Sequence, residues 1–186
     1  MIAVKTTNLS KQYKEVIAVD RLHLEIQKGE LFSLLGVNGA GKTTTIKILT
    51  GLTKPTSGVH ISREPEQIKQ LIGVSPQETA IAPNLTVKEN LELICGIHGF
   101  SKETTKEKIK NISEKFSLED ILKRKAGKLS GGWQRRVSIA MALISEPKIL
   151  FLDEPTLGLD VIARHDLWDL IRSLKSNITI ILTTHY

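Results

Sequence analysis

The nine residues GVNGAGKTT, from Gly36 to Thr44, restrict the fold more than any other stretch of the sequence. They follow the apolar run LFSLL and open the helical pattern KTTTIKILT, so that a glycine loop joins a strand to a helix. This is the P-loop pattern in the context that it requires, and it predicts a phosphate-binding loop. A glycine-rich turn without function is the alternative, which the lysine and the two threonines disfavour.

The backbone and three side chains supply the chemistry of this loop. Glycines allow N–H groups to surround phosphate oxygens, and the N-terminus of the helix adds partial positive charge. We expect Lys42 to reach the β- and γ-phosphates of a nucleotide, Thr43 to coordinate Mg²⁺, and Thr44 to bond a phosphate oxygen. The predicted nucleotide-binding residues of the loop are Gly36, Val37, Asn38, Gly39, Ala40, Gly41, Lys42, Thr43 and Thr44.

A second motif, ILFLDEP, combines a buried strand with two acids. Asp153 and Glu154 follow four apolar residues, and Pro155 cannot extend the strand ladder. In P-loop nucleotide hydrolases an aspartate after a buried strand holds Mg²⁺, and we expect Asp153 to do so opposite Thr43. Glu154 is then available to orient and polarise the attacking water. Two solvated acids in a turn are the alternative, which the P-loop makes the minor case.

Hydrophobic patterning predicts an α/β fold. Continuous apolar runs at 31–36, 148–155 and 178–185 are typical of parallel strands that are buried on both faces. The alternating segments MIAVKTTNL and AVDRLHLEI predict a small antiparallel sheet. Helical patterns lie at Lys42–Thr50, Val87–Ile97, Lys102–Phe116, Gly131–Ser145 and Val161–Leu174.

The order of these elements predicts one domain over residues 1–186. We expect a P-loop core with a mostly parallel sheet, an N-terminal antiparallel β subdomain and an inserted α-helical subdomain at about 87–145. The insertion itself runs from about Val87 to Lys125. Ligands of such sheets bind beyond the carboxyl ends of the strands, where both motifs fall.

Composition and charge narrow the classes of function. A chain with 40% hydrophobic and 25% charged residues is neither disordered nor built for a membrane, and no apolar run approaches the roughly 18 residues of a membrane helix. Cys95 is the single cysteine, so a reducing compartment is expected. The net charge of +6 suits nucleic acid and anionic lipid equally. Since basic clusters are not interleaved with aromatic residues, we expect no nucleic-acid partner.

The segment LSGGW, at 129–133, indicates which class of P-loop nucleotide hydrolase the sequence resembles. An LSGG segment before an Asp-Glu strand, with a P-loop upstream, resembles the signature of ATP-binding-cassette (ABC) ATPases, and the similarity covers almost the whole chain. Each further match has an ordinary structural alternative, but together they stand in the family's order. The resemblance implies that Tyr13 stacks on adenine with Val19 beside it, Gln77 touches Mg²⁺ and the attacking water, Asp160 contacts the other subunit, and His185 grips the γ-phosphate.

The signature itself has a physical interpretation. Ser130 is a good N-cap whose hydroxyl can accept a hydrogen bond from the next turn. Gly131 and Gly132 carry no Cβ, so that an anion can approach the backbone N–H groups. Because the chain already has a phosphate loop, the resemblance implies a head-to-tail dimer in which these three residues cover the nucleotide of the partner.

The resemblance implies an ATP-binding and ATP-hydrolysing motor subunit of a membrane transporter, with ATP and Mg²⁺ as cofactors. Its expected partners are a second nucleotide-binding domain, identical or paralogous, and separate transmembrane permease subunits. The expected location is peripheral, at the cytoplasmic face of the cell membrane, and the expected direction is export. One alternative is a soluble ABC ATPase in DNA repair, translation or cofactor assembly. Another is a catalytically silent nucleotide sensor, which the intact Lys42, Asp153, Glu154 and His185 disfavour.

Three features depart from the family pattern. Trp133 stands where glutamine is most common, and we interpret it as a packing residue or a feature of a subfamily, because the glycines before it need no side chain. The stretch 58–77 is short, which indicates either a trimmed hairpin or missing residues. The abrupt end at Tyr186 leads us to expect that the C-terminal part of the domain is missing.

Overall fold

A computed structural model describes residues 1–61, 71–175 and 177–184. Its strands are β1 (Ile2–Tyr13), β2 (Val16–Gln27), β3 (Leu31–Leu35), β4 (Ser57–Ile61), β5 (Ile72–Ser75), β6 (Ile149–Asp153) and β7 (Thr179–Thr184). Its α-helices are α1 (Lys42–Leu49), α2 (Val87–Ile97), α3 (Lys102–Phe116), α4 (Gly131–Leu143) and α5 (Val161–Ser173). The strands form an antiparallel sheet in the order β2-β1-β4 and a parallel sheet in the order β3-β7-β6-β5. The predicted α/β class is therefore confirmed.

The antiparallel sheet is built around β1. This strand pairs with β2 on one side, as the two alternating segments predict, and with β4 on the other side. Its inward residues, including Val4 and Leu9, are buried together with Ile26 of β2. The pairing with β4 was not predicted, because it joins segments that are about fifty residues apart.

The parallel sheet differs from the prediction in one strand. β6 and β7 are buried along almost their whole length, as their continuous apolar runs predict. β3 was expected to be equally buried, and this was wrong: Leu35 is 69% exposed. β3 pairs with β7 alone and is an edge strand of the described sheet, so that its side chains are covered less. The short strand β5 was not predicted, because IGVS has too few apolar residues to form a run.

Two hydrophobic cores cover the two faces of the parallel sheet. On one face, Leu150, Leu152, Ile180 and Leu182 pack against helices α2 to α5. On the other face, Phe151 and Ile181 join residues of α1 and of the antiparallel sheet. Successive residues of β6 and β7 thus point into different cores, which is why these strands read as continuous apolar runs.

The helices begin where the sequence predicts, and three of them end earlier, the first of which is α1, at Leu49 instead of Thr50. α4 ends at Leu143 instead of Ser145, and α5 ends at Ser173 instead of Leu174. α2 begins with a capping box, in which Thr86 and Glu89 bond each other's backbone N–H groups. In the part of the chain that the structure describes, no helix is long and apolar enough to cross a membrane.

The topology brings the sequence motifs to one edge. Leu35 pairs with Thr184, and Asp153 pairs with Thr183, so that β3, β6 and β7 end side by side. The neighbouring strand β5 ends at Ser75, opposite Leu152. The P-loop, the two acids and the segment that contains Gln77 therefore emerge at the same carboxyl edge.

Candidate nucleotide-binding site

The loop between β3 and α1 requires glycine at two positions. Gly39 and Gly41 have φ angles of +84° and +81°, in the left-handed region that glycine adopts at little cost. A Cβ at Gly41 would also lie 2.0 Å from the carbonyl oxygen of Ala18 in β2. Gly41 is the N-cap of α1 and has no side chain to cap the helix, so its first N–H groups stay available to a ligand.

Lys42 lies at the centre of the loop. Its Nζ donates hydrogen bonds to the carbonyl oxygens of Gly36 at 2.6 Å and Val37 at 3.1 Å. Its Nζ also lies 3.4 Å from Oε1 of Glu154, and the two side chains are only 9% and 8% exposed. Lys42 and Glu154, two of the four residues that are predicted to act in hydrolysis, are thus joined in a nearly buried ion pair, although they are more than one hundred residues apart in sequence.

Asp153 is held by hydroxyl groups from two directions. Its Oδ1 accepts hydrogen bonds from Oγ1 of Thr43 at 3.2 Å and from Oγ1 of Thr183 at 2.5 Å. The Thr183 hydroxyl also accepts a hydrogen bond from the backbone N–H of Glu154 at 2.9 Å. One hydroxyl and one carboxylate beside a phosphate loop are a donor set that fits Mg²⁺, which takes few protein ligands together with phosphate oxygens and water. Two of the three predicted metal contacts, Thr43 and Asp153, are thus brought together, and the third, Gln77, lines the same cavity as Thr43.

Glu154 follows β6 in an unusual backbone conformation. Its φ is +48°, in the left-handed region that residues other than glycine rarely adopt. The side chain is buried beside Lys42, and the backbone N–H is fixed by Thr183. Backbone conformations of this kind concentrate at functional sites, where the surrounding structure compensates for their cost.

A cavity of about 410 Å³ lies beside the loop and Glu154, and Asp153 is not among the described residues that line it. Two of its lining residues, Ala18 and Leu157, were not predicted, since nothing in their local sequence distinguishes them. The predicted residues that line it are Asn38, Gly39, Ala40, Gly41, Lys42, Thr43, Thr44, Gln77 and Glu154.

Two predicted adenine contacts lie outside this lining. Tyr13 ends β1 and is 46% exposed, with the ammonium of Lys11 5.0 Å from the centre of its ring. Val19 is buried and packs with Leu9 and Ile48 behind the loop. Neither residue is among the described residues that line the cavity, and their contact with adenine stays a prediction. His185 lies outside the described residues.

The structure of the signature contradicts one prediction, the capping role of the Ser130 side chain. Ser130 is the N-cap of α4, but its side chain makes no capping hydrogen bond and is exposed. Packing gives Gly132 a role of its own, because a Cβ there would lie 3.0 Å from Cβ of Ala163 in α5. At Gly131 the nearest atom to such a Cβ is 3.9 Å away. None of these three predicted residues is among the described residues that line the cavity of the same chain.

Trp133 and Asp160 have clear structural roles. Trp133 packs against the helical core, and the guanidinium of Arg136 lies 4.8 Å from the centre of its ring, which favours packing among the two interpretations. Asp160 is the exposed N-cap of α5 and accepts a hydrogen bond from the N–H of Ala163 at 2.9 Å. Its contact with a second subunit stays a prediction.

The sequence interpretation missed Arg135. This residue of α4 is 5% exposed and donates hydrogen bonds to the carbonyl oxygens of Pro76, at 2.6 Å, and of Gln77. Burial lowers the pKa of the Arg135 guanidinium, and the negative charge of Asp153 acts in the opposite direction. An arginine on the same helical face as Ser138 and Ala142, which packs inward, was the available signal.

Comparison with known proteins identifies the family. Residues 19–157 match the family model described as ABC transporter, a range that includes the P-loop, the signature and both acids of the second motif. The chain belongs to the ABC transporter family. The resemblance stated from the signature is therefore confirmed.

Two relatives of this ABC cassette are similar to it over almost its whole length. The human phospholipid-transporting ATPase ABCA3 is 42% identical over 193 aligned residues, which cover 98% of this chain and 11% of the human protein. The Nod factor export ATP-binding protein I of Burkholderia pseudomallei strain 1710b is 42% identical over 185 residues, covering 96% and 61%. The chain thus spans less than two thirds of each relative.

Solved ABC cassettes share the fold. The cassette MJ0796, described as a bacterial ABC transporter cassette, has a TM-score of 0.85 and 30% identity over 98% of this chain and 88% of its own. Its structures include a dimer in a post-hydrolysis state, bound to ADP and Pi. A neighbour of this kind supports ATPase chemistry in the family.

Proposed function

We propose that this chain is the ATP-hydrolysing motor subunit of an ABC membrane transporter of the export type. It works as a head-to-tail dimer and drives separate transmembrane subunits. One observation carries the proposal: Lys42, Thr43 and Glu154 line one cavity of about 410 Å³. There Lys42 is paired with Glu154, and Thr43 donates a hydrogen bond to Asp153. The cofactors are ATP and Mg²⁺.

The buried residues have complementary roles in hydrolysis. Lys42 exchanges the carbonyl oxygens of its own loop for the β- and γ-phosphate oxygens, and this exchange releases Glu154 from the ion pair. Glu154 then accepts a proton from the water whose oxygen attacks the γ-phosphorus, while the bond to the ADP oxygen breaks. Thr43 and Asp153 would hold Mg²⁺, which would supply positive charge against the phosphate oxygens.

The remaining predicted contacts complete one nucleotide site. Thr44 and the N–H groups of the loop bind phosphate oxygens, and Gln77, which lines the same cavity, would contact the metal and the attacking water. Tyr13 and Val19 contact adenine, and His185 contacts the γ-phosphate. These roles rest on the family resemblance and on the position of each residue in the sequence.

The dimer follows from residues that this cavity does not use. Ser130 and Gly131 are exposed at the N-terminus of α4, with Gly132 beside them, and the Asp160 turn is exposed nearby. In a two-fold arrangement these residues cover the nucleotide bound by the partner, and each chain lends one half of the partner's site. The MJ0796 cassette has been solved as a dimer, which supports a dimeric form of this chain.

The transport role is supported by the relatives. One is named as an export ATP-binding protein and another as a phospholipid-transporting ATPase. We infer that this chain docks at the cytoplasmic face of the cell membrane on permease subunits encoded separately. Copurification with membrane-embedded chains tests this role, whereas recovery in a soluble complex with ribosomes, DNA or assembly factors favours the alternative of a soluble ABC ATPase.

The variant Glu154→Gln tests the hydrolytic assignment. Loss of the base is expected to lower ATP turnover at least about 100-fold, while nucleotide binding persists and ATP-dependent dimers accumulate in size-exclusion chromatography. The matched control is Glu107→Gln, which makes the same change at an exposed position of α3. An active Glu154→Gln variant would overturn the assignment.

A mixing experiment tests the shared site. Lys42→Ala disables the phosphate loop, and Ser130→Arg blocks the signature. In a mixed dimer one composite site combines both defects and the other has neither, so a mixture should regain ATP turnover that each variant lacks alone. A mixture as inactive as either variant contradicts the head-to-tail geometry.

A further inference from the structure

Arg135 joins two parts of the site that the sequence treats separately. It belongs to α4, three residues after Gly132 of the signature, and its guanidinium donates to the carbonyl oxygens of Pro76 and Gln77. We call residues 76–78 the Gln77 segment. Arg135 is 5% exposed, so that these charge-assisted hydrogen bonds lie largely out of contact with water.

The contact of Arg135 is the last step of a continuous attachment between α4 and β5. A Cβ at Gly73 would lie 2.2 Å from the carbonyl oxygen of Ala142, so the helix backbone touches the strand there. Further along, the hydroxyl groups of Ser75 and Ser138 are hydrogen-bonded at 3.0 Å and buried. Positions 135, 138 and 142 lie on one face of the helix, and this face follows β5 to the start of the Gln77 segment.

This attachment gives α4 two functions in one rigid element. Its N-terminus carries Gly131 and Gly132, and about one turn later it holds the backbone of Gln77. We propose that Arg135 is a positioning residue that fixes the Gln77 segment to α4, so that closure of the signature on a partner's nucleotide is transmitted to the chain's own Gln77. The proposal rests on the proposed function, which assigns the signature and Gln77 to different nucleotides.

The neighbouring Arg136 provides a matched control in the same helix. Its guanidinium lies over the ring of Trp133 and donates a long hydrogen bond, 3.4 Å, to the carbonyl oxygen of Phe116. It therefore makes contacts of similar chemistry that lead into the helical core and away from the cavity. Arg136→Met removes the same charge from α4 without releasing the Gln77 segment.

Hydrogen exchange measures the attachment without any need for catalysis. In Arg135→Met, amide exchange in the Gln77 segment should rise about 10- to 100-fold, since two charge-assisted hydrogen bonds are lost, while exchange in β6 and β7 stays unchanged. Arg135→Lys, which keeps the charge beside Asp153 but not the fork of donors, should give a smaller rise. Unchanged exchange in the segment, or a rise that is uniform over the chain, overturns the proposal.

A double-mutant cycle measures the transmission to Gln77. If Arg135 acts through Gln77, Arg135→Met lowers kcat for ATP in the natural background and has no further effect on kcat in the Gln77→Ala background. Equal factors in both backgrounds contradict the proposal. An unaltered chain that does not hydrolyse ATP refutes the proposed function instead, and the exchange experiment then still decides whether Arg135 fixes the segment.

Discussion

The hydroxyl of Thr183 is hydrogen-bonded to both acids of the site, Asp153 and Glu154. It donates to Oδ1 of Asp153 and accepts from the backbone N–H of Glu154, and all three residues are at least 93% buried. Thr183→Val keeps the shape of the side chain and removes both hydrogen bonds. We expect the variant to fold with a misoriented Asp153 carboxylate and a buried N–H group without its acceptor.

The structure sets the size of this effect. A hydrogen bond to an ionised carboxylate contributes about 1.5–3 kcal/mol, and a buried N–H without a partner costs about 1–3 kcal/mol. Because one atom makes both contacts and its surroundings can relax, we expect a loss of about 3 kcal/mol rather than the full sum. For a chain of this length this loss lowers Tm by about 6–12 °C. Since Thr183 orients a metal ligand, Mg²⁺ affinity should fall about 10- to 100-fold.

Thr179 supplies the control on the same strand. It is buried in β7, and its hydroxyl accepts a hydrogen bond from the N–H of Gly29, far from the cavity. Thr179→Val should cost about 1 kcal/mol and leave the Mg²⁺ dependence unchanged. The assay is nucleotide binding against Mg²⁺ concentration, at a temperature where both variants are folded, together with thermal denaturation. Equal Mg²⁺ dependence in the two variants would refute the reasoning.

Two further predictions concern stability. Gly73→Ala should destabilise the fold by about 1–3 kcal/mol or more, because its Cβ meets the helix backbone at 2.2 Å, whereas Gly96→Ala, with open space around it, should gain about 0.5–1 kcal/mol in chemical denaturation. The backbone and side-chain hydrogen bonds of Thr86 lower the pKa of Glu89. Thr86→Ala removes the side-chain bond and keeps the backbone N–H, so it should raise that pKa part of the way toward its ordinary value in an NMR titration. A lowered carboxyl pKa stabilises the fold above the pKa of the unfolded chain, and this contribution is lost as the pH falls through the folded pKa. The difference in stability between Thr86→Ala and the unaltered chain should therefore narrow in acid. A difference that stays constant with pH contradicts the capping role.

The local sequence was sufficient for the parts of the site that are contiguous in the chain. The P-loop requires glycines in the left-handed backbone conformation between a strand and a helix, and the segment GVNGAGKTT is sufficient to predict them. ILFLDEP likewise predicted a buried strand that ends in two acids, and the structure brings Thr43 to Asp153 and Lys42 to Glu154. The helix starts were equally accessible, because periodicity and capping residues are properties of a few neighbouring positions.

Three features of the structure were not predicted from the local sequence. Ser130 has the residue type and the position of an N-cap, yet its hydroxyl makes no capping bond. β3 has the apolar run of a buried strand, but its place at the edge of the described sheet leaves Leu35 exposed. The strand β5 was missed because its burial comes from α4 and β6 rather than from its own composition.

The sequence by itself determined the class of fold, the phosphate loop, the two acids and the family, since each is encoded in a short contiguous pattern. Only the tertiary structure decided that Thr183 orients both acids and that Arg135 attaches the signature helix to the backbone of Gln77. Side-chain hydrogen bonds of this kind join residues that lie 29 to 58 positions apart. They leave no local periodicity to detect, because their geometry exists only once the strands have paired and the helix has packed against them.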